Sequence, residues 1–128
     1  MTQQPQLFQC FRYADAEAAL TFLAALGFTE RLVVRDGNAI VHAQLRWRDN
    51  GGVMLGSRRD DELASYYGTG VCNLVVEDDA AVDATIARAV EAGARLVQEP
   101  TNPPHGGRSG AVADAEGNLW NIDSYPGE

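Results

Sequence analysis

The chain is 128 residues long, room for one compact domain that buries about two thirds of its unfolded surface and too short for a second of ordinary size. Its 45% hydrophobic and 22% charged residues exclude disordered and collagen-like chains, and 10 basic against 18 acidic side chains leave a net charge of −8 that repels nucleic-acid backbones. No apolar run approaches the roughly 18 residues of a membrane span, and the opening Met-Thr-Gln-Gln-Pro-Gln lacks the features of a secretory signal, so the expectation is a cytoplasmic protein with neither nucleic acid nor membrane as partner.

Residues 7–13 alternate as a short strand, and 15–26 carry Leu20, Leu23 and Leu26 at helical spacing, opened by Asp15 as an N-cap and stopped by Gly27. Strands are predicted at 30–35, at 40–47 after the Asp36-Gly37-Asn38 turn, and at 52–57 after Asp49-Asn50-Gly51. A charged, polar linker, 58–69, follows, with Tyr66-Tyr67 near its end as packing or as ligand contacts.

The plan then repeats. A strand at 71–77 precedes a helix at 79–92, with Val82, Ile86, Ala89 and Val90 on one face and Gly93 as its stop. Strands at 94–98, 109–113 and 119–124 complete the half, and the prolines of the loop 99–108 exclude a central strand there. Gly27 and Gly93 stand 66 positions apart, as a tandem duplication requires. The expected class is α+β: a single domain, 1–128, of two tandem βαβββ modules, about 7–57 and about 70–125.

Cys10 and Cys72 lie in separate apolar runs without CxxC spacing, so buried free thiols are expected. A period of two assigns the strand faces. Val41, Ala43, Leu45 and Trp47 should pack behind the sheet, leaving His42, Gln44 and Arg46 forward. Val53 and Leu55 go behind with Met54 forward; Cys72, Leu74 and Val76 go behind with Val71, Asn73 and Val75 forward. In the last strand Trp120 and Ile122 go behind, leaving Leu119, Asn121 and Asp123 forward. A forward face that mixes apolar and polar groups suits a small-molecule pocket, though any sheet with one wet face alternates in the same way. His42 is either ligand-facing or a neutral imidazole bonded to Gln44 or Asp123; Arg46 meets either Asp123 or an anionic ligand.

The chain resembles the vicinal oxygen chelate superfamily, which includes glyoxalase I, extradiol dioxygenases, fosfomycin-resistance enzymes and bleomycin-resistance proteins. The resemblance rests on the paired βαβββ plan, on Leu26-Gly27-Phe28, Val76-Glu77-Asp78 and Glu91-Ala92-Gly93-Ala94, and on Asp114-Ala-Glu-Gly-Asn-Leu-Trp120. It implies a cupped mixed sheet with the ligand on its concave side, often completed by a second subunit, so a homodimer is expected. Metal-dependent relatives place His, Glu or Gln at four inward positions, which fall here on Phe8, Met54, Val71 and Asn121. Two of these are hydrocarbon, methionine suits Cu(I), and a neutral Asn adds little, so no metal and no cofactor are expected.

The resemblance therefore implies a metal-independent protein that binds a small organic molecule, drug-sequestering in the manner of bleomycin-resistance proteins. Its expected ligand contacts are Phe8, His42, Gln44, Arg46, Met54, Asn73, Asn121 and Asp123. The alternative is a glyoxalase-like lyase or isomerase, or a dioxygenase; a metal-free enzyme would use His42 or Asp123 as general base with Arg46 holding an anionic intermediate. No nucleophile motif supports covalent catalysis.

Overall fold

The computed structural model describes residues 4–68 and 70–128. Thr69, the last residue of the expected linker, lies outside the described residues. The chain divides into two compact units, Met1–Thr69 and Gly70–Glu128.

In the first unit β1 (Gln9–Tyr13), α1 (Ala16–Leu26), β2 (Thr29–Asp36), β3 (Ala39–Trp47) and β4 (Gly51–Ser57) follow in order, and the sheet order is β1-β4-β3-β2. β1 runs parallel to β4 while the other pairs are antiparallel, so the first strand closes against the last. Helix α1 starts where expected because the Asp15 carboxylate accepts the Ala18 N–H, and it ends at Gly27, whose φ of 125° only glycine adopts freely. Ala16, Ala19, Leu20, Leu23 and Leu26 form its buried stripe. They pack with Phe11, Tyr13, Ala43, Leu45, Val53 and Leu55, the back of the sheet.

The second unit repeats the topology with β5 (Val71–Val75), α2 (Asp79–Glu91), β6 (Arg95–Thr101), β7 (Ser109–Ala113) and β8 (Leu119–Asp123), in sheet order β5-β8-β7-β6. β5 is parallel to β8, as β1 is to β4. Asp78 caps α2 by accepting the Ala81 N–H, and Val82, Thr85, Ile86 and Ala89 are its buried stripe. Val90, expected on that stripe, is exposed instead. Trp120 and Ile122 are fully buried behind β8, as the alternation predicts.

Three further expectations are corrected. Val41 was expected in the core but is 47% exposed, because Val34 pairs with His42 and Arg35 with Ile40. The skipped Val41 is the extra residue of a β-bulge, so Ile40 takes the buried place three residues before Ala43. β6 runs on through Pro100 to Thr101, inside the expected loop 99–108, which proline allows because β6 is an edge strand with irregular register beyond Gln98. Cys10 is exposed rather than buried, since it shares its sheet face with its partner Met54 and not with the core.

Candidate functional site

The forward face of the first sheet is organised in rows across the strands. In the central row Cys10 stands opposite Met54, Met54 opposite Gln44, and Gln44 opposite Leu32. Toward the C-terminal end of β1, Arg12 stands opposite Gly56, while His42 shares the face of Gln44 on β3 and stands opposite Val34. Toward the other end Gly52 faces Arg46, and the ring of Phe8, just before β1, lies over Gly52 so closely that a Cβ there would stand 2.5 Å from Phe8 Cε1.

Two adjoining pockets open on this face. The first, of about 130 Å³, is bordered by Cys10, Arg12, Val41, His42, Met54 and Arg59, among others. The second, of about 350 Å³, is lined by Phe8, Gln9, Cys10, Leu63, Tyr66 and Tyr67. Cys10 and Tyr67 border both.

His42 and Gln44 are coupled: the Gln44 amide nitrogen lies 2.9 Å from His42 Nε2. With the amide donating, Nε2 is the acceptor and the neutral ring carries its proton on Nδ1. In that tautomer the ring offers a hydrogen-bond donor at Nδ1. The Arg46 guanidinium donates to the Gln4 side-chain carbonyl, a partner supplied by its own unit.

Arg12 is the residue that the sequence reading missed. Its side chain is only 6% exposed although it belongs to the forward face, because the linker folds over it. Arg12 Nη1 donates to Asp61 Oδ1 at 2.8 Å and Nη2 to Oδ2 at 3.1 Å, while the guanidinium carbon sits 4.4 Å from the centre of the Tyr67 ring. The hydrogen bonds from Arg12 hold the Asp61 carboxyl below the ordinary carboxylate range, and the Leu63 N–H adds to this. The same pair raises the pKa of Arg12. Arg12 sits in the apolar stretch Leu7-Phe-Gln-Cys-Phe-Arg-Tyr13, where only strand parity with Phe8 and Cys10 marks it as forward.

The forward face of the second sheet carries Val71 opposite Leu119, Asn73 opposite Asn121 and Val75 opposite Asp123. The Asn121 amide donates to the Asn73 carbonyl oxygen, and Asp123 Oδ1 accepts the Tyr125 N–H at 2.8 Å. Behind it, Cys72 is partly buried, and burial pushes its thiol up to about 11. His105 meets the ring of Tyr125 edge-on.

The four positions that the resemblance equates with the ligands of metal-dependent relatives carry side chains poorly suited to a divalent ion. Phe8 and Val71 offer hydrocarbon, Met54 a thioether, and Asn121 an amide already bonded to its neighbour. Among the described residues no group of three or more His, Cys, Asp or Glu is placed to hold one.

Twin βαβββ modules, each closing its first strand parallel to its last and each with a mixed forward face, define a paired-module protein. The chain belongs to the Glyoxalase/Bleomycin resistance protein/Dioxygenase superfamily, whose family model matches residues 7–122. Among solved structures it is similar to TioX from Micromonospora sp. ML1, with 28% identity, 92% of this chain and 94% of that chain covered, and a TM-score of 0.70. A glyoxalase/bleomycin resistance protein/dioxygenase family enzyme from Burkholderia phytofirmans shares the fold at 22% identity, covering 91% and 94% of the two chains, with a TM-score of 0.69. So does a glyoxalase-related enzyme from Fulvimarina pelagi, at 21% identity and 92% and 87% coverage, with a TM-score of 0.70. No curated protein matches the chain.

Proposed function

We propose that this protein binds a small organic molecule without a metal, on the forward face of its first module. The observation that carries the reading is the pair of adjoining pockets joined at Cys10 and Tyr67, where apolar walls surround a few fixed polar groups. Phe8 and Met54 supply apolar surface, His42 and Gln44 a paired set of hydrogen-bonding groups, and Arg46 a cation at the Gly52 end of the same face. In the second module the corresponding contact residues are Asn73, Asn121 and Asp123 on that module's own forward face. The role that suits such a site is sequestration, as in the bleomycin-resistance members of the family, by a cytoplasmic homodimer. Exposed Leu32 and Val34 on β2, the edge of the first sheet, support self-association.

Native mass spectrometry of the purified protein tests all of this together. The expected species is a dimer that carries an organic molecule and no stoichiometric metal, with a melting temperature insensitive to EDTA. One tightly held ion per chain, lost with a drop in stability on chelation, would overturn metal independence, because an ion bound only to the folded state stabilises it by mass action.

A further inference from the structure

We infer that the molecule held by the first module is an organic anion, its acidic group met by Arg59, Arg12 and the His42 Nδ1–H and its apolar body by the pocket of Phe8, Leu63 and Tyr66. The inference rests on the binding reading above and goes against the charge of the whole chain. A net charge of −8 would suggest a cationic ligand. That charge is dispersed over the surface, however, and salt screens exposed charges beyond about 8 Å. The ligand responds to the groups within reach.

Those groups are basic. The ionisable side chains bordering the smaller pocket include Arg12, His42 and Arg59, and no carboxylate is among them. The larger pocket is bordered by no Asp, Glu, Arg or His at all. Asp61 lies against these guanidiniums, and it is shared: Arg12 takes both of its oxygens, and Arg59 Nε stands 3.8 Å from Oδ2. Within this cluster two guanidiniums share one carboxylate, so the charged groups on the pocket wall itself are all cationic.

Asp61 itself shows what the site recognises. A carboxylate carried by the chain docks on the fork of Arg12 with two charge-assisted hydrogen bonds, beside the face of Tyr67. Arg59 is 58% exposed and its contact with Asp61 is longer than a hydrogen bond, so a second carboxylate can reach its fork without breaking the first pair. His42 adds a neutral donor whose direction Gln44 fixes. An ammonium group in the same place would meet these cations and a donor, with no charged acceptor on the pocket wall.

The test is a panel of matched trios: benzoate, benzamide and benzylammonium, and 2-naphthoate, 2-naphthamide and 2-naphthylmethylammonium. Each is titrated into the full chain by calorimetry and by NMR of the His42 and Tyr67 resonances, at low and high salt. The acid of each trio is expected to bind about tenfold tighter than its amide and to weaken as salt rises, as one charge-assisted contact requires. Arg59→Gln, at an exposed position that leaves the fold intact, should remove that advantage and leave the amides unchanged. Arg12→Met is a second probe, interpreted once circular dichroism shows that it folds. Amides or ammoniums that bind as tightly as the acids would sink the anion inference while leaving the pocket standing, as would acids indifferent to Arg59→Gln. If no compound moves the His42 or Tyr67 resonances at millimolar concentration, both readings fall.

Discussion

Replacing Asp114 by alanine should cost more stability than any other substitution in the Asp114-Ala-Glu-Gly-Asn118 turn. Asp114 Oδ1 accepts the backbone N–H groups of Glu116 and Asn118, each at 3.0 Å, and the Asn118 amide bridges both oxygens at 3.2 Å. Oδ2 also accepts the indole N–H of Trp120 at 3.1 Å. Asp114 and Asn118 are buried and Trp120 is fully so, which puts the indole and Asn118 donors beyond easy rehydration once the carboxylate is gone. Each buried donor left unsatisfied costs about 1–3 kcal/mol, so the two together cost about 2–6 kcal/mol, a large share of a typical total of about 5–15. At about 4 °C per kcal/mol for a chain of this size, the melting temperature should fall by about 8–24 °C. Urea unfolding followed by tryptophan fluorescence measures the loss directly, with an unchanged m-value as the condition for reading the midpoint as stability. Asp114→Asn, which keeps an acceptor oxygen but not the charge, should fall between wild type and alanine. A loss below about 1 kcal/mol for Asp114→Ala would refute the reasoning, since the turn would then not depend on the carboxylate.

Gly110→Ala should destabilise the second module by about 1–3 kcal/mol in the same assay, because the new methyl would lie 2.6 Å from Ile86 Cδ1 and 3.0 Å from the Gln98 carbonyl oxygen. Brief alkylation near pH 8, followed by peptide mass mapping, should label Cys10 and spare Cys72, whose pKa of about 11 leaves little thiolate; equal labelling would contradict the burial of Cys72. The Asp61 carboxyl, depressed by Arg12 in the folded state, adds stability that is complete above its unfolded pKa of about 3.9 and is lost as pH falls through the lower folded value. Asp61→Asn should therefore flatten the acid limb of a stability–pH curve below about pH 4, and an unchanged limb would show that the linker is not held by this pair.

How much of this was legible in the sequence depends on the range of the interaction involved. Helix caps are local, so Asp15 and Gly27 marked the bounds of α1 correctly. Strict alternation is local as well, and it placed Ala43, Leu45, Val53, Leu55, Trp120 and Ile122 in the core. A bulge has no period: nothing in Ala39-Ile-Val-His-Ala43 shows which of Ile40 and Val41 will be the extra residue, because the pairing with β2 decides it. Arg12 was opaque for the opposite reason. Its strand position was legible, but its burial depends on Asp61, 49 residues away, and on Tyr67.

The bulge at Val41 also bears on how the first module tolerates changes in chain length. Deleting one residue between Ala39 and Val41 would remove the bulge and leave 42–47 in register with β4, so His42, Gln44 and Arg46 would keep their orientation. The same deletion in the middle of β3 would turn every side chain on one side of it to the opposite face and drive a guanidinium or an imidazole into the core. Length variation among relatives should accordingly gather at the start of this strand, where the chain can gain or lose a residue at the cost of Val41 alone and without turning His42, Gln44 and Arg46 to the other face.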